Sequence, residues 1–305
     1  MSTEENKALI RHYVEAIHKG NVDEGEELLA PDFAFHVSGA PGPMNSEAFG
    51  QLFTGLLTAF SDLTITNEEL IAEGDKVAGR WITRSTHQGE LWGIPPTGKQ
   101  VKITSMDINH ITNGKIAERW HEYDALGMMQ QLGVIPAMDS PARKPGGDDA
   151  SRTSKEASPT SPEENKALIW RYWQEASTRR LPVVMEEYLA PDVVSHPPAS
   201  ASAEPIRGLD AFKQFIAAQF GAFPDMAVTV DDLIAEGDRV AARVTTRGTH
   251  AGERMGLPPT GRRVEWSAIS MTRHAGGKIV EQWGEFDALG LLQQLSGGRA
   301  LGTGH

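Results

Sequence analysis

Two carboxylates stand out by what surrounds them. Asp124 lies in KIAERWHEYDALGMMQQLG (residues 115–133), between a strand-like run and a short amphipathic one. Asp287 has the same place in KIVEQWGEFDALGLLQQLS (residues 278–296). Strand alternation puts Trp120 on the face of Asp124, and Trp283 on that of Asp287. A carboxylate against an apolar ring has its pKa raised toward neutrality, which suits general acid/base chemistry. The competing reading is a helix N-cap, which Asp fills at a gain of about 1 kcal/mol. Asp124→Asn separates the two, because Asn caps a helix but cannot transfer the proton.

The elements that hold these residues occur twice. EENKALI begins at Glu4 and again at Glu163, LAPD at Leu29 and Leu189, LIAEGD at Leu70 and Leu233. GIPPTGK at Gly93 answers GLPPTGR at Gly256. The copies match end to end, so the chain is a duplicated domain rather than a short-period solenoid. The reading is copy one at 1–136, copy two at 161–297 and a disordered tail at 298–305. Residues 137–160 are rich in Pro, Ser, Gly and charge, cannot bury a core, and read as a flexible linker.

Within copy one, Leu9, Ile10, Tyr13, Val14 and Ile17 recur at helical spacing after a Ser2/Glu5 capping box. Residues 22–30 read as a second helix stopped at Pro31, 33–37 as a short strand, and 46–60 as a third helix. The period then changes to two. Strands are expected over 63–72 and 76–87, joined at Gly74-Asp75, and over 100–112 and 115–123, joined at Asn113-Gly114. Helices followed by a meander of long strands make an α+β domain. A curved antiparallel sheet with helices packed on one face encloses a pocket for a small molecule.

Composition removes several function classes. The 305 residues carry a net charge of −12, the wrong sign for nucleic acid backbone or an anionic membrane surface. There is no cysteine, hence no disulfide, thiolate nucleophile or cysteine-based zinc site. No apolar run approaches the roughly 18 residues of a membrane span, and the first residues are acidic where a signal peptide is basic. The expected location is the cytoplasm, with no nucleic acid or membrane partner.

Several other residues fit a cavity. His36 and His87, with His196 and His250 in copy two, end strand-like runs and either face the pocket or close turns. Tyr13 and Tyr172 sit on the apolar helix face, as core or as pocket hydroxyls. Trp92 is replaced by Met255 in the GxPPTG loop, so the two pockets differ in shape. His36, His87, His110 and Asp124 form no HxH pair, and Arg273 replaces one of them in copy two, so no metal is expected.

THQGELWGIPPTGK (residues 86–99), GKIAERW (114–120) and HEYDALGMMQQLG (121–133), each with a counterpart in copy two, resemble the SnoaL-like polyketide cyclases of the nuclear-transport-factor-2-like superfamily. The resemblance implies an α+β cone with a deep pocket. It also implies aldol closure of a polyketide ester without cofactor or metal, and the expected reaction is such a cyclisation or a related isomerisation. An aspartate at the position of Asp124 acts as acid/base, and a histidine fourteen residues earlier assists, here His110. Copy two has Arg273 there, which favours an ionised Asp287 and makes a better anion clamp than carbon base. Copy one is therefore the expected active site. Trp120, His87, His36, Tyr13, Trp92, Trp283, Arg273, His250, His196 and Tyr172 are candidate contacts for a hydrophobic substrate.

Two rival functions fit the same chain. Epoxide opening requires two or more carboxylates in one pocket, for which Glu68, Glu69 and Asp107 are candidates. A non-catalytic binding protein would equally tolerate a divergent second copy. The superfamily habit of pairing through the open sheet face implies that the copies pack as an intrachain pseudo-dimer, with further homo-oligomers open.

Overall fold

The computed structural model describes residues 1–40, 42–136, 160–178 and 181–297. All but Thr160 of the expected linker, and the whole expected tail, lie outside the described residues. Copy one runs α1 (Thr3–His18), α2 (Val22–Glu27), β1 (Leu29–Val37), α3 (Ser46–Ala59), β2 (Thr64–Glu73), β3 (Lys76–Thr86), β4 (Gln100–Thr112), β5 (Lys115–Tyr123) and α4 (Ala125–Leu132). Copy two runs α5 (Pro162–Thr178), α6 (Leu181–Tyr188), β6 (Leu189–His196), β7 (Ile206–Arg207), α7 (Leu209–Ala222), β8 (Ala227–Glu236), β9 (Arg239–Thr249), β10 (Arg263–Ala275), β11 (Lys278–Phe286) and α8 (Ala288–Ser296). The sheet orders are β1-β5-β4-β3-β2 and β7-β6-β11-β10-β9-β8.

Local chemistry explains most boundaries. The Ser2/Glu5 capping box opens α1, whose Ile10, Tyr13, Val14 and Ile17 are all buried against the sheet. Asn113 and Gly114 both take positive φ, the turn that matches strand twist, and Thr112 pairs with Lys115 across it. Two features differ from the sequence reading. The second helix ends at Glu27, and Pro31 lies inside β1. Proline is accommodated because β1 is an edge strand with a register shift between Leu29 and Ala34. β1 also runs parallel to β5, so each sheet contains one parallel pair.

Each sheet has two apolar faces. One packs on its own helices; there Ile10, Phe33, Phe49, Val77 and Trp81 share a core. The other faces the second copy, where Ile71, Ala78, Met106 and Ile108 meet Ile234, Ala241, Ile269 and Met271 in a common core. Polar contacts around that core repeat about a pseudo-two-fold axis. Lys7 pairs with Glu236 at 2.6 Å and Lys166 with Glu73 at 2.5 Å. The same glutamates accept from the Ala72 and Ala235 backbone N–H groups. Arg80 lies 4.6 Å from the Trp283 ring centroid and Arg243 4.4 Å from that of Trp120. Each copy thus satisfies buried polar groups of the other.

Glu122, on β5, is buried in this interface. Its carboxyl accepts from Ser267 Oγ at 2.5 Å across the interface and from Ser38 Oγ within its own copy. Burial pushes it up to about 7, with the two hydroxyls opposing. A folded-state pKa raised above the unfolded value favours folding at low pH, and the contribution is lost as pH rises through about 7. Glu122→Gln is therefore expected to gain stability over the wild type between pH 5 and 8, by on the order of 2 kcal/mol at the alkaline end. Urea midpoints across that range measure it. A constant difference between the two proteins contradicts the assignment.

Candidate active site

β5 divides the chemistry by parity. Successive side chains alternate faces, so Arg119, His121 and Tyr123 point to the helices while Glu118, Trp120 and Glu122 point to the other copy. The helix side of copy one holds a cavity of about 470 Å³. Rings of Phe35, Phe49, Phe53, Phe60, Trp81 and Tyr123 line it, with Ser105, Arg119 and His121 among its few polar groups. Trp92 is on the lining, although 54% of its surface is exposed, and its φ is +49°, a left-handed conformation uncommon for a bulky residue.

A buried ion pair stands beside the cavity. Arg119 Nη2 lies 2.6 Å from Asp107 Oδ2, and Asn109 Nδ2 donates to Asp107 Oδ1 at 3.0 Å. Burial raises the Asp107 carboxyl, with Arg119 opposing. The Arg119 guanidinium carbon is 5.0 Å from the Tyr13 ring centroid. Burial holds the Tyr13 hydroxyl up at about 12, so it stays protonated. Gly79 leaves the room this cluster needs, since a Cβ there would approach Trp81 Nε1 to 2.6 Å and Asp107 Oδ1 to 2.8 Å.

His121 is the titratable group beside this charge. Its ring lies against Tyr123 (5.9 Å between centroids) and Phe35 (6.1 Å), and its Nδ1 is buried with no hydrogen-bond partner. Burial and the nearby Arg119 push it down to about 3, so it is neutral across the physiological range. A neutral imidazole against a fixed cation in an apolar cavity can accept a proton from a substrate and return it. The guanidinium can hold a developing oxyanion.

The residues singled out from sequence are dispersed. Tyr13 and Trp92 line the cavity. Asp124 is outside the lining: it caps α4, its Oδ1 accepting from Gly127 N at 2.9 Å and its Oδ2 from Ser200 N of copy two at 3.0 Å. Asp287 caps α8 in the same way and accepts from Gly39 N of copy one at 3.2 Å. Glycine is required at 127 because a Cβ would stand 2.1 Å from Asp124 Oδ2. His110 is on the outer hairpin, 2.7 Å from Asp75, and Arg273 pairs with Glu281. His36 stacks on Trp120 and bonds Glu118; His196 stacks on Trp283 and bonds Glu281. Nδ1 of His87 accepts from Thr97 N, and His250 does the same with Thr260, so both clamp their PPTG loops. Tyr172 is in the core of copy two.

Arg119, His121 and Tyr123 were not among the sequence candidates. Their signal was present: copy two replaces them with Gln282, Gly284 and Phe286, while both copies keep the tryptophan and aspartate of the opposite parity. Glu68 and Glu69 are tied into interface ion pairs with Arg80 and Arg239, and Asp107 is held by Arg119. No carboxylate is on the cavity lining among the described residues. Nor do the described residues contain a group of three or more His, Asp or Glu placed to hold a metal, or a helix long and apolar enough to cross a membrane.

A family model described as SnoaL-like polyketide cyclase matches residues 7–132 and again 167–295. Among curated proteins, the aklanonic acid methyl ester cyclase DnrD of Streptomyces peucetius is 32% identical over 131 residues, covering 41% of this chain and 88% of that protein. The nogalonic acid methyl ester cyclase of Streptomyces nogalater is 32% identical over 122 residues, covering 39% and 91%. Among solved structures, TsrD from Streptomyces laurentii matches with 26% identity and a TM-score of 0.40, over 44% of this chain and 98% of that one.

The buried pair predicts a pattern of stability. Asp107→Leu leaves Arg119 buried and unpaired and is expected to cost about 3–5 kcal/mol. Adding Arg119→Met should recover most of it, since an apolar pair of similar volume is near neutral. Denaturant unfolding of the two single variants and the double variant tests this. A double variant no more stable than Asp107→Leu contradicts it.

Proposed function

The chain belongs to the SnoaL-like polyketide cyclase family, and on that premise we propose that copy one catalyses an intramolecular aldol-type closure of a flat polyketide methyl ester, without a cofactor. What supports the reading is the placing of a neutral His121 and a charged Arg119 together in an apolar, aromatic-lined cavity. The aromatic walls suit a planar ring system. The curated relatives are named as cyclases of polyketide methyl esters.

In the proposed reaction His121 takes a proton from the carbon between ketone and ester. The electron pair moves to the carbonyl oxygen, where Arg119 stabilises the enolate charge. That carbon attacks a ketone elsewhere in the substrate, forming a carbon–carbon bond and an alkoxide. The imidazolium returns its proton to the alkoxide, so base and charge are restored. His121 is a weak base on its own, and the enolate beside it raises its proton affinity as the proton moves. Positioned proton transfer of this kind contributes roughly 10²–10⁴-fold.

Asp124 enters the proposal as a positioning residue. Both its oxygens are engaged by backbone N–H groups, one of them from copy two. Epoxide opening is disfavoured because it needs paired carboxylates on the lining. A binding protein without turnover differs in outcome only, and incubation with ester decides it.

His121→Phe is expected to lower kcat by at least about 10²-fold with little change in KM. Asp124→Asn, with a single-turnover assay on the same polyketide methyl ester, should keep most of the rate. The reverse result moves the proton transfer to the aspartate. Because His121 is pushed down to about 3, kcat/KM should show no acid limb between pH 5 and 7. A limb near 6.5 that disappears in His121→Phe would show an imidazole with an ordinary pKa.

A further inference from the structure

We infer that copy two has given up a site of its own and serves as a fixed wall of the copy-one cavity, with Gln293 selecting the polar end of the ligand. The inference rests on the chemistry lying in copy one, as proposed above. Two side chains of α8, Leu289 and Gln293, lie on the lining of that cavity. They come from the other half of the chain. Gln293 brings an amide, both donor and acceptor, to a rim otherwise formed by small and apolar residues. The rim adjoins His121, whose backbone C=O accepts from Ser38 N–H, so a ligand with its acidic carbon at His121 carries its ester toward that amide.

The rim itself is held from copy two. Residues 38–40 form part of the lining. Gly39 N donates to Asp287 Oδ2 across the interface at 3.2 Å. Ser38 Oγ donates to Glu122, whose other oxygen is held by Ser267 of copy two. The rim therefore has two polar attachments that depend on the second copy. Asp287 is in this sense a positioning residue for a site that is not its own.

Copy two meanwhile lacks the equivalent machinery. With the offset of 163 set by Lys115 and Lys278, Gln282, Gly284 and Phe286 replace Arg119, His121 and Tyr123, and Ser270 replaces Asp107. Space is taken up as well. Trp266 stands where copy one has Ile103; it is buried and lies 5.1 Å from the Phe223 ring. Trp173, at the place of Val14, packs on the copy-two core. The capping aspartate, its glycine and the amphipathic helix are the parts that copy two has kept, and those are the parts that reach copy one.

The test uses the full chain and two readouts. Exchange of the Gly39 amide, followed by NMR, is expected to speed up at least tenfold in Asp287→Asn, because Asn can still cap Gly290 with its oxygen but turns an N–H₂ group toward Gly39. Binding of methyl anthraquinone-2-carboxylate, followed by tryptophan quenching, is expected to weaken about tenfold in Gln293→Ala. Binding of unsubstituted anthraquinone, which has no ester, should not change. Gln130→Ala, at the equivalent position of α4, should bind both probes as the wild type does. Unchanged Gly39 exchange in Asp287→Asn overturns the inference, and so does full ester affinity in Gln293→Ala or an equal loss in Gln130→Ala. A wild-type protein that binds neither probe contradicts the proposed ligand class, and Gly39 exchange then decides the inference alone.

Discussion

The outer face of each sheet is too apolar to face water, and the other copy is what covers it. Met106 and Ile108 of one sheet meet Ile269 and Met271 of the other in a single core. Burying such a surface removes a large apolar area from water. It also sets polar groups at its margin against partners on the opposite copy. Glu73 and Glu236, each paired with a lysine and a backbone N–H across the interface, are the clearest case. Strand parity then does the rest. Once even-numbered residues of β5 belong to the interface, the odd-numbered ones belong to the cavity.

That division separates two kinds of electrostatics. In the interface, Glu122 is raised by burial and Asp124 and Asp287 spend their oxygens on backbone N–H groups. These carboxylates hold the two halves in register. In the cavity, one cation is kept charged by a single buried carboxylate, and the imidazole beside it is held neutral. Charge interactions are strong where water is excluded, so one fixed guanidinium can govern the behaviour of whatever enters.

Duplication without symmetry of the cavity-side residues is compatible with the same geometry. A symmetric pair of domains needs both interface faces intact, but only one cavity need stay open. The residues on the interface side, the tryptophan and the capping aspartate, are the same in the two copies. The cavity-side residues of β5 have diverged, and Trp173 and Trp266 pack on the cores of copy two. Over residues 118–124, sameness between the copies marks the interface face and difference marks the cavity face.

The sequence by itself determined the repeat, the capping boxes, the hairpins and the lengths of the meander strands, and the α+β class. Each rests on local spacing, such as Ser2 with Glu5 or Asn113-Gly114 between alternating runs. It also placed Trp120 and Asp124 on one strand face. Which face that was could not be read locally, because both sides of β5 are buried and both carry polar groups. Only the packing of one sheet on the other decided it, by turning the repeated aspartate and tryptophan to the partner copy and leaving Arg119, His121 and Tyr123 in the cavity. Pro31 within β1 has the same origin. A proline that ends a helix in isolation is accepted at a sheet edge once β5 lies beside it, in parallel, to supply the ladder.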